Sequence, residues 1–283
     1  MPKICLLMPS ILAPETATLE ATQRLIRFSS CKCASDGMEW AAEAAELARA
    51  GRQKHIPRPS GDWFHNPAQC PRGKSQVVFS PSYQASILHW ARNQSIADAL
   101  KNHPDFSHLL LVDSDMTFGE DALDRLLAHQ KDIVSGTCVK RVDPAVPVAK
   151  IWSERYQNYA ELRDWPDETG LIEVDAVGAA FLLLTRKVIL DLAEAYHPKE
   201  FRESGNGWWF SYRKNVNGGE LGEDVSMCWA AARLGFRIWL DTDLQIGHLG
   251  KYVYTLEDWK AWREPYLKGE VGPHKDARQL VKV

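Results

Sequence analysis

Leu109-Leu110-Leu111-Val112 runs without a break into Asp113-Ser114-Asp115. Successive side chains of a strand point to opposite faces, so four apolar residues in a row suit a strand buried on both sides. The polar triplet then marks the carboxyl end of that strand. Open α/β sheets bind their ligands at such ends.

Working outward, the flanking segments alternate between strand and helix patterns. Downstream, Thr117-Phe118-Gly119-Glu120 has the spacing of a capping box, which predicts a helix carrying Leu123, Leu126 and Leu127. Ile133-Val134-Ser135-Gly136 and Ala179 to Leu184 read as buried strands, and Val188 to Ala195 as a helix. Glu223 to Leu234 is expected to be a helix with Val225, Trp229 and Ala232 inward, closed by a left-handed Gly235. Phe236, Ile238 and Leu240 then alternate like a half-buried strand. Upstream, Lys3 to Met8 predicts a first strand stopped by Pro9-Ser10, followed by a helix within 15–28. Gln76 to Phe79 suits a short strand, and Ser86 to Leu100 a helix.

Two stretches break the rhythm. Residues 31–75 hold an Ala/Glu-rich helix pattern (Met38 to Ala50) and then a run rich in Pro, Gly, His and Asn, expected to be an insertion or flap. Residues 265–283 are polar and read as a loosely held tail. The alternation elsewhere predicts an α/β fold over residues 1–283, a single domain with a mostly parallel central sheet flanked by helices.

Composition narrows the function classes. The 283 residues are 45% hydrophobic and 25% charged, ample for a sizeable core in a soluble domain. A net charge of −3 supplies no global field toward nucleic acid or anionic lipid. No apolar run approaches the ~18 residues of a spanning helix, and the first residues do not fit a signal peptide. Cys5, Cys31, Cys33, Cys70, Cys138 and Cys228 are scattered, which suits free thiols and a cytoplasmic location. Cys31, Cys33, His65 and Cys70 fit no standard zinc spacing, and incidental cysteines are the simpler reading.

Asp113 and Asp115 sit two residues apart beyond a strand, where both can turn toward one hard cation such as Mn²⁺ or Mg²⁺. The same triplet also suits a turn that caps the next helix. A third reading comes from Leu110 to Thr117, which resembles the first motif of haloacid-dehalogenase-type phosphatases, with Asp113 as nucleophile. That family expects a later G-D-x-x-x-D. Here Gly222-Glu223-Asp224 is followed by Cys228 where the second carboxylate belongs. Asp241-Thr242-Asp243 repeats the triplet after an alternating strand, where Asp241 is expected to close the strand. His248, between Gly247 and Leu249-Gly250, suits a turn or a metal ligand. Glu223 and Asp224 open a helix, where acidic side chains are favoured by the dipole. A carboxylate there can also accept a proton from an attacking hydroxyl. Of Trp208-Trp209-Phe210, at least one is expected to face a groove and stack on a sugar, the others to pack in the core.

In order, these segments resemble the GT-A glycosyltransferase superfamily, which has a Rossmann-like fold and uses nucleotide sugars. The resemblance runs from Leu109 to Gly250 and rests on Ala91-Arg92-Asn93, Leu111 to Asp115, Ile133 to Gly136, Val177 to Phe181, Gly222-Glu223-Asp224 and Gly247-His248. It implies a UDP- or GDP-linked donor, with Pro9 and Ser10 bordering base and ribose and Arg92 facing the nucleotide or its diphosphate. Asp113, with Ser114 beside it, would contact ribose or metal-bound water. Asp115 would ligate the metal directly, and His248 would be the third protein ligand. Gly178 and Ala179 would line the sugar and acceptor pocket, with Trp208 and Trp209 nearby. Asp224, with Glu223 beside it, would sit at the acceptor hydroxyl. A histidine ligand leans toward a retaining outcome. A non-catalytic carbohydrate-binding module of the same fold is the other expectation. The acceptor stays open among glycan, small molecule, protein and modified DNA, the last kept alive by Lys140-Arg141, Arg213-Lys214 and basic residues in 49–58.

Overall fold

A computed structural model describes residues 2–9, 16–30, 74–80, 87–142, 145–162, 165, 170–197, 208–215, 217–250 and 253–268. The Met38 to Ala50 helix, the four candidate zinc residues, Ser10 and most of the 265–283 tail lie outside them.

The chain begins with strand β1 (Lys3–Leu7), helix α1 (Thr16–Ser30), strand β2 (Gln76–Ser80) and helix α2 (Leu88–Asn102). Strand β3 (His108–Val112), the short β4 (Met116–Thr117), helix α3 (Ala122–Ala128) and strand β5 (Ile133–Cys138) follow. The middle holds β6 (Ala149–Ser153), β7 (Asn158–Glu161), β8 (Leu171–Val174), β9 (Ala176–Val177), β10 (Phe181–Thr185) and helix α4 (Arg186–Tyr196). The last part contains β11 (Arg213–Lys214), β12 (Glu220–Leu221), α5 (Glu223–Arg233), β13 (Ile238–Leu249), β14 (Val253–Tyr254) and α6 (Leu256–Leu267).

The main sheet has the order β14-β13-β5-β10-β3-β1-β2, with β4 and β8 also paired to β13. β2, β1 and β3 are mutually parallel, and β13 is parallel to β5. β10 runs antiparallel to both β3 and β5, so one strand of the central six is reversed. The protein is a mixed α/β fold with an open sheet, parallel along most of its central path. The edge pairings of β13 with β14, β4 and β8 are all antiparallel.

Alternation along the central strands builds two apolar layers. Leu109 and Leu111 pack with Cys5, Leu182, Leu184, Ile238 and Leu240 against α2, α4 and α5. Leu110 and Val112 pack with Ile4, Leu6, Val134, Phe181 and Leu183 against α1 and α3. This is why the run 109–112 carries no polar residue. Cys5, Cys138 and Cys228 are buried free thiols, and burial pushes Cys138 and Cys228 up to about 12.

Three local expectations need correction. The capping box at Thr117 to Glu120 does not form. Thr117 is drawn into the ladder with β13, and α3 starts later, with Asp121 as its cap residue and no side-chain capping bond. Cross-sheet pairing outcompetes a local cap here. In α5 the inward residues are Val225, Met227, Cys228, Ala230 and Ala231, whereas Ala232 is exposed and Trp229 half-buried. Asp241 does not end its strand. β13 follows β5 to the pair Asp241–Gly136, bulges, and resumes at Gln245–Thr137. The Asp241 carboxylate pins the bulge by accepting from the N–H groups of Asp243 and Leu244 at 2.9 Å each. The helix closing on Gly235 is as expected, with φ at +89°, Gly235 N–H donating to Ala232 O and Phe236 N–H to Ala231 O.

Among the described residues, no helix is long and apolar enough to cross a membrane.

Candidate functional site

The chain beyond β3 is held on both sides. Asp113 N–H donates to Ala180 O at 2.9 Å, and Leu249 N–H donates to Asp115 O at 2.8 Å. Between these bonds, β4 pairs with the end of β13 through Thr117–Gly247 and Met116–His248. The approach is so close that a methyl group on Gly247 would collide with Thr117 Oγ1 and Val253 Cγ1. A side chain at 247 would have to displace the Thr117 and Val253 side chains. His248 is thereby carried to Asp115, with Nε2 3.4 Å from Oδ2. Its other ring nitrogen, Nδ1, lies 2.9 Å from Val139 O. A carbonyl can only accept, so Nδ1 carries the hydrogen and Nε2 is the atom presented to Asp115. Nε2 thus faces Asp115, donating to it when the ring is protonated and offering a lone pair to a cation when it is neutral.

Asp115 is held below the ordinary carboxylate range. Burial alone would raise it, but hydrogen bonding and charge from His248 and the charge of Arg141 outweigh that. Arg141 Nη1 reaches the same Oδ2 at 2.9 Å and also donates to Leu249 O at 3.0 Å.

A second charged cluster lies behind Asp113. Arg92, on α2 and 2% exposed, donates through Nη2 to both Asp113 oxygens at 3.0 and 2.9 Å. Its Nη1 donates to Glu223 Oε1 at 3.1 Å. Burial disfavours the cation, yet the charges of Asp113, Asp224 and Glu223 hold it above its usual range. Arg92 therefore ties the end of β3 to the first turn of α5. Both Asp113 oxygens accept from that guanidinium.

Asp224 is half-buried, and desolvation, only partly offset by Arg92, raises its affinity for a proton. One of its oxygens accepts from Val225 N–H at 3.0 Å. The other lies beside Gly178, 3.6 Å from where a β-carbon would stand. Gly178 is thus adjacent to Asp224, while Ala179 is buried in the core. Ser114 is half-buried beside the two aspartates, and Pro9 is buried at the end of β1.

The neighbouring tryptophans part company. Trp208 is 50% exposed, whereas Trp209 is 5% exposed and its indole N–H donates to Ile189 O at 2.8 Å. Trp209 is core and is removed from the sugar-pocket set. Phe210 is also core, its backbone locked to the Asn93 amide by bonds of 2.8 and 2.9 Å. The exposed ring of Tyr212 packs edge-on against His89, and its hydroxyl donates to Glu223.

Arg141 and Tyr212 were not singled out as site residues from sequence. Arg141 was noted only as part of a basic pair, and Tyr212 follows the aromatic run that was. Neither pairing has a motif signal, because each depends on a segment distant in the chain.

Asp115 and His248 fit a shared divalent ion. Two ligands each ~2.1 Å from one cation and at right angles to each other stand about 3 Å apart, near the observed gap. The set is small, however. Among the described residues there is no group of three His, Cys, Asp or Glu poised to hold an ion. An ion here would take its remaining ligands from water and substrate oxygens, as Mg²⁺ and Mn²⁺ commonly do.

No family model matches the chain, and no curated protein does. Among solved structures, A197 from STIV aligns at 12% identity over 88% of this chain and 86% of its own, with a TM-score of 0.38. The nucleoside-diphosphate-sugar pyrophosphorylase from Vibrio cholerae RC9 aligns at 8% identity over 84% of this chain and 91% of its own, with a TM-score of 0.34. Similarity this weak bears on neither family nor activity.

Proposed function

We propose that the protein is a metal-dependent GT-A glycosyltransferase that moves a sugar from a nucleoside-diphosphate donor to an acceptor hydroxyl. The observation that carries the reading is the meeting of Asp115 with His248 Nε2 at the carboxyl end of β3. Asp115 and His248 would hold a divalent ion, and the chemistry it would supply is neutralisation of the charge on the departing diphosphate. The bond from the anomeric carbon to the diphosphate breaks with its electron pair going to the phosphate oxygen. The acceptor oxygen forms the new bond, and its proton passes to a base. Asp224, desolvated and with raised proton affinity, receives or orients that hydroxyl beside Gly178. Arg92 holds Asp113 and Glu223 in place without touching substrate. Trp208 and Tyr212 offer exposed ring faces to a sugar acceptor.

The phosphatase reading is weaker on two counts. Both oxygens of Asp113, the required nucleophile, are taken by Arg92, and position 228 is a buried thiol. A DNA acceptor also loses support. Lys140 pairs with Glu161, Arg141 with Asp115, and Arg213 stacks on Tyr196 and Trp229.

Thermal shifts with UDP- and GDP-sugars, with and without Mn²⁺, test the reading. Metal-dependent stabilisation by one donor is expected, together with slow donor hydrolysis that Asp115→Ala abolishes. No shift with any donor, combined with trapping by beryllium fluoride, would overturn it in favour of the phosphatase. Donor binding with no turnover would leave a binding module.

A further inference from the structure

We infer that Arg141 is a resident counter-cation of the candidate metal site, displaced by a divalent ion only in the company of a diphosphate. The inference rests on the metal-site reading above. Arg141 Nη1 and His248 Nε2 both face one oxygen of Asp115, at 2.9 and 3.4 Å. An ion placed between Asp115 and His248 therefore meets a guanidinium already at that oxygen. Like charges at such separation repel, so a bare ion binds against opposition.

Arg141 differs from Arg92 in what it is free to do. Arg92 is buried and clamped by two carboxylates, whereas the Arg141 side chain is 47% exposed and its other partner among the described residues is the Leu249 carbonyl. It can swing outward on a flexible stem. A diphosphate supplies oxygen ligands to the ion and, at the same time, a forked anionic partner for the displaced guanidinium. One ligand thus removes both obstacles. Ion and diphosphate then bind with positive coupling, and Arg141 is the source of the coupling. The enzyme stays closed to free metal and loads it with the donor.

The test is Mn²⁺ binding to the full chain, followed by electron paramagnetic resonance with and without inorganic pyrophosphate. The Mn²⁺–pyrophosphate complex is titrated in parallel so that its own stability can be subtracted. Arg141→Ala is expected to bind Mn²⁺ alone about tenfold more tightly than wild type, and to lose a similar factor of coupling to pyrophosphate. Arg141→Gln keeps a donor for the Leu249 carbonyl without the charge, and is expected to behave like Arg141→Ala. If both variants bind Mn²⁺ alone no more tightly than wild type, the inference is wrong while the metal site stands. If neither wild type nor variants bind Mn²⁺ under any condition, the metal-site reading falls and takes this inference with it.

Discussion

His248 Nε2 faces Asp115 Oδ2 across 3.4 Å, although one residue follows the third strand and the other ends the thirteenth. The contact is produced by backbone pairing between β4 and β13, not by any local motif. Everything proposed for the site depends on that pairing.

Gly247→Ala tests the dependence directly. Its methyl would strike Thr117 and Val253, and such overpacking typically costs about 1–3 kcal/mol. The expected result is a lower midpoint in urea and weaker Mn²⁺ binding than wild type. Adding Thr117→Ala is expected to recover part of both losses. If Gly247→Ala leaves Mn²⁺ binding intact, the close approach is not what positions His248.

Arg92→Met is expected to be severe. Three half-buried carboxylates, Asp113, Glu223 and Asp224, act on this one buried guanidinium. Removing one partner of a buried ion pair costs roughly 3–5 kcal/mol, because the remaining charge is left uncompensated. Equilibrium denaturation measures the loss. Arg92→Lys keeps the charge without the fork and is expected to fall between Met and wild type.

Asp224→Asn carries a signed pH prediction. The folded-state affinity of Asp224 for a proton is raised above the unfolded value, so the folded chain binds more protons and stability falls as pH rises through that window. The wild type is therefore destabilised by this group at neutral pH. Asp224→Asn is expected to melt higher than wild type at pH 7, with the gap closing below the unfolded carboxylate range, while transfer activity is lost. A lower melting point at pH 7 would show that the carboxylate stabilises the fold.

Trp208→Ala and Trp209→Ala separate surface from core. Truncating buried Trp209 is expected to cost about 3–5 kcal/mol. Truncating half-exposed Trp208 is expected to change stability by within about 0.5 kcal/mol and to raise KM for the acceptor with little effect on donor hydrolysis. Equal stability losses would place both rings in the core.

What the sequence disclosed follows the range of the forces involved. Leu109 to Val112 could be read as a doubly covered strand because burial on both faces leaves a local, continuous pattern. Gly235 was legible because a helix closing in the left-handed region has few alternatives to glycine. Arg92 was legible as a helix residue of the site, but its protein partners were not. Its real partners, Asp113 and Glu223, come from two other segments, and nothing local distinguishes a buried strut from a ligand-facing arginine. Thr117 misled for the same reason, since its capping spacing was real but β13 offered a better set of bonds. Trp208 and Trp209 show the limit most plainly. Adjacent identical residues took opposite environments in an irregular segment, and the sequence could not say which was which.

The bulge in β13 has a consequence for how the site evolves. Before it, the even-numbered Ile238 and Leu240 point into the layer covered by α2, α4 and α5. After it, the even-numbered Leu244 and Ile246 point into the opposite layer. The three residues opposite no partner, Thr242 to Leu244, therefore invert the parity of the strand, and His248 inherits the inverted phase. Deleting one of them would move every later residue back by one position, so ordinary alternation would join the two halves and His248 would keep its face. The register hinge pinned by the Asp241 carboxylate is thus a point where the strand can lose one residue while the site keeps its orientation.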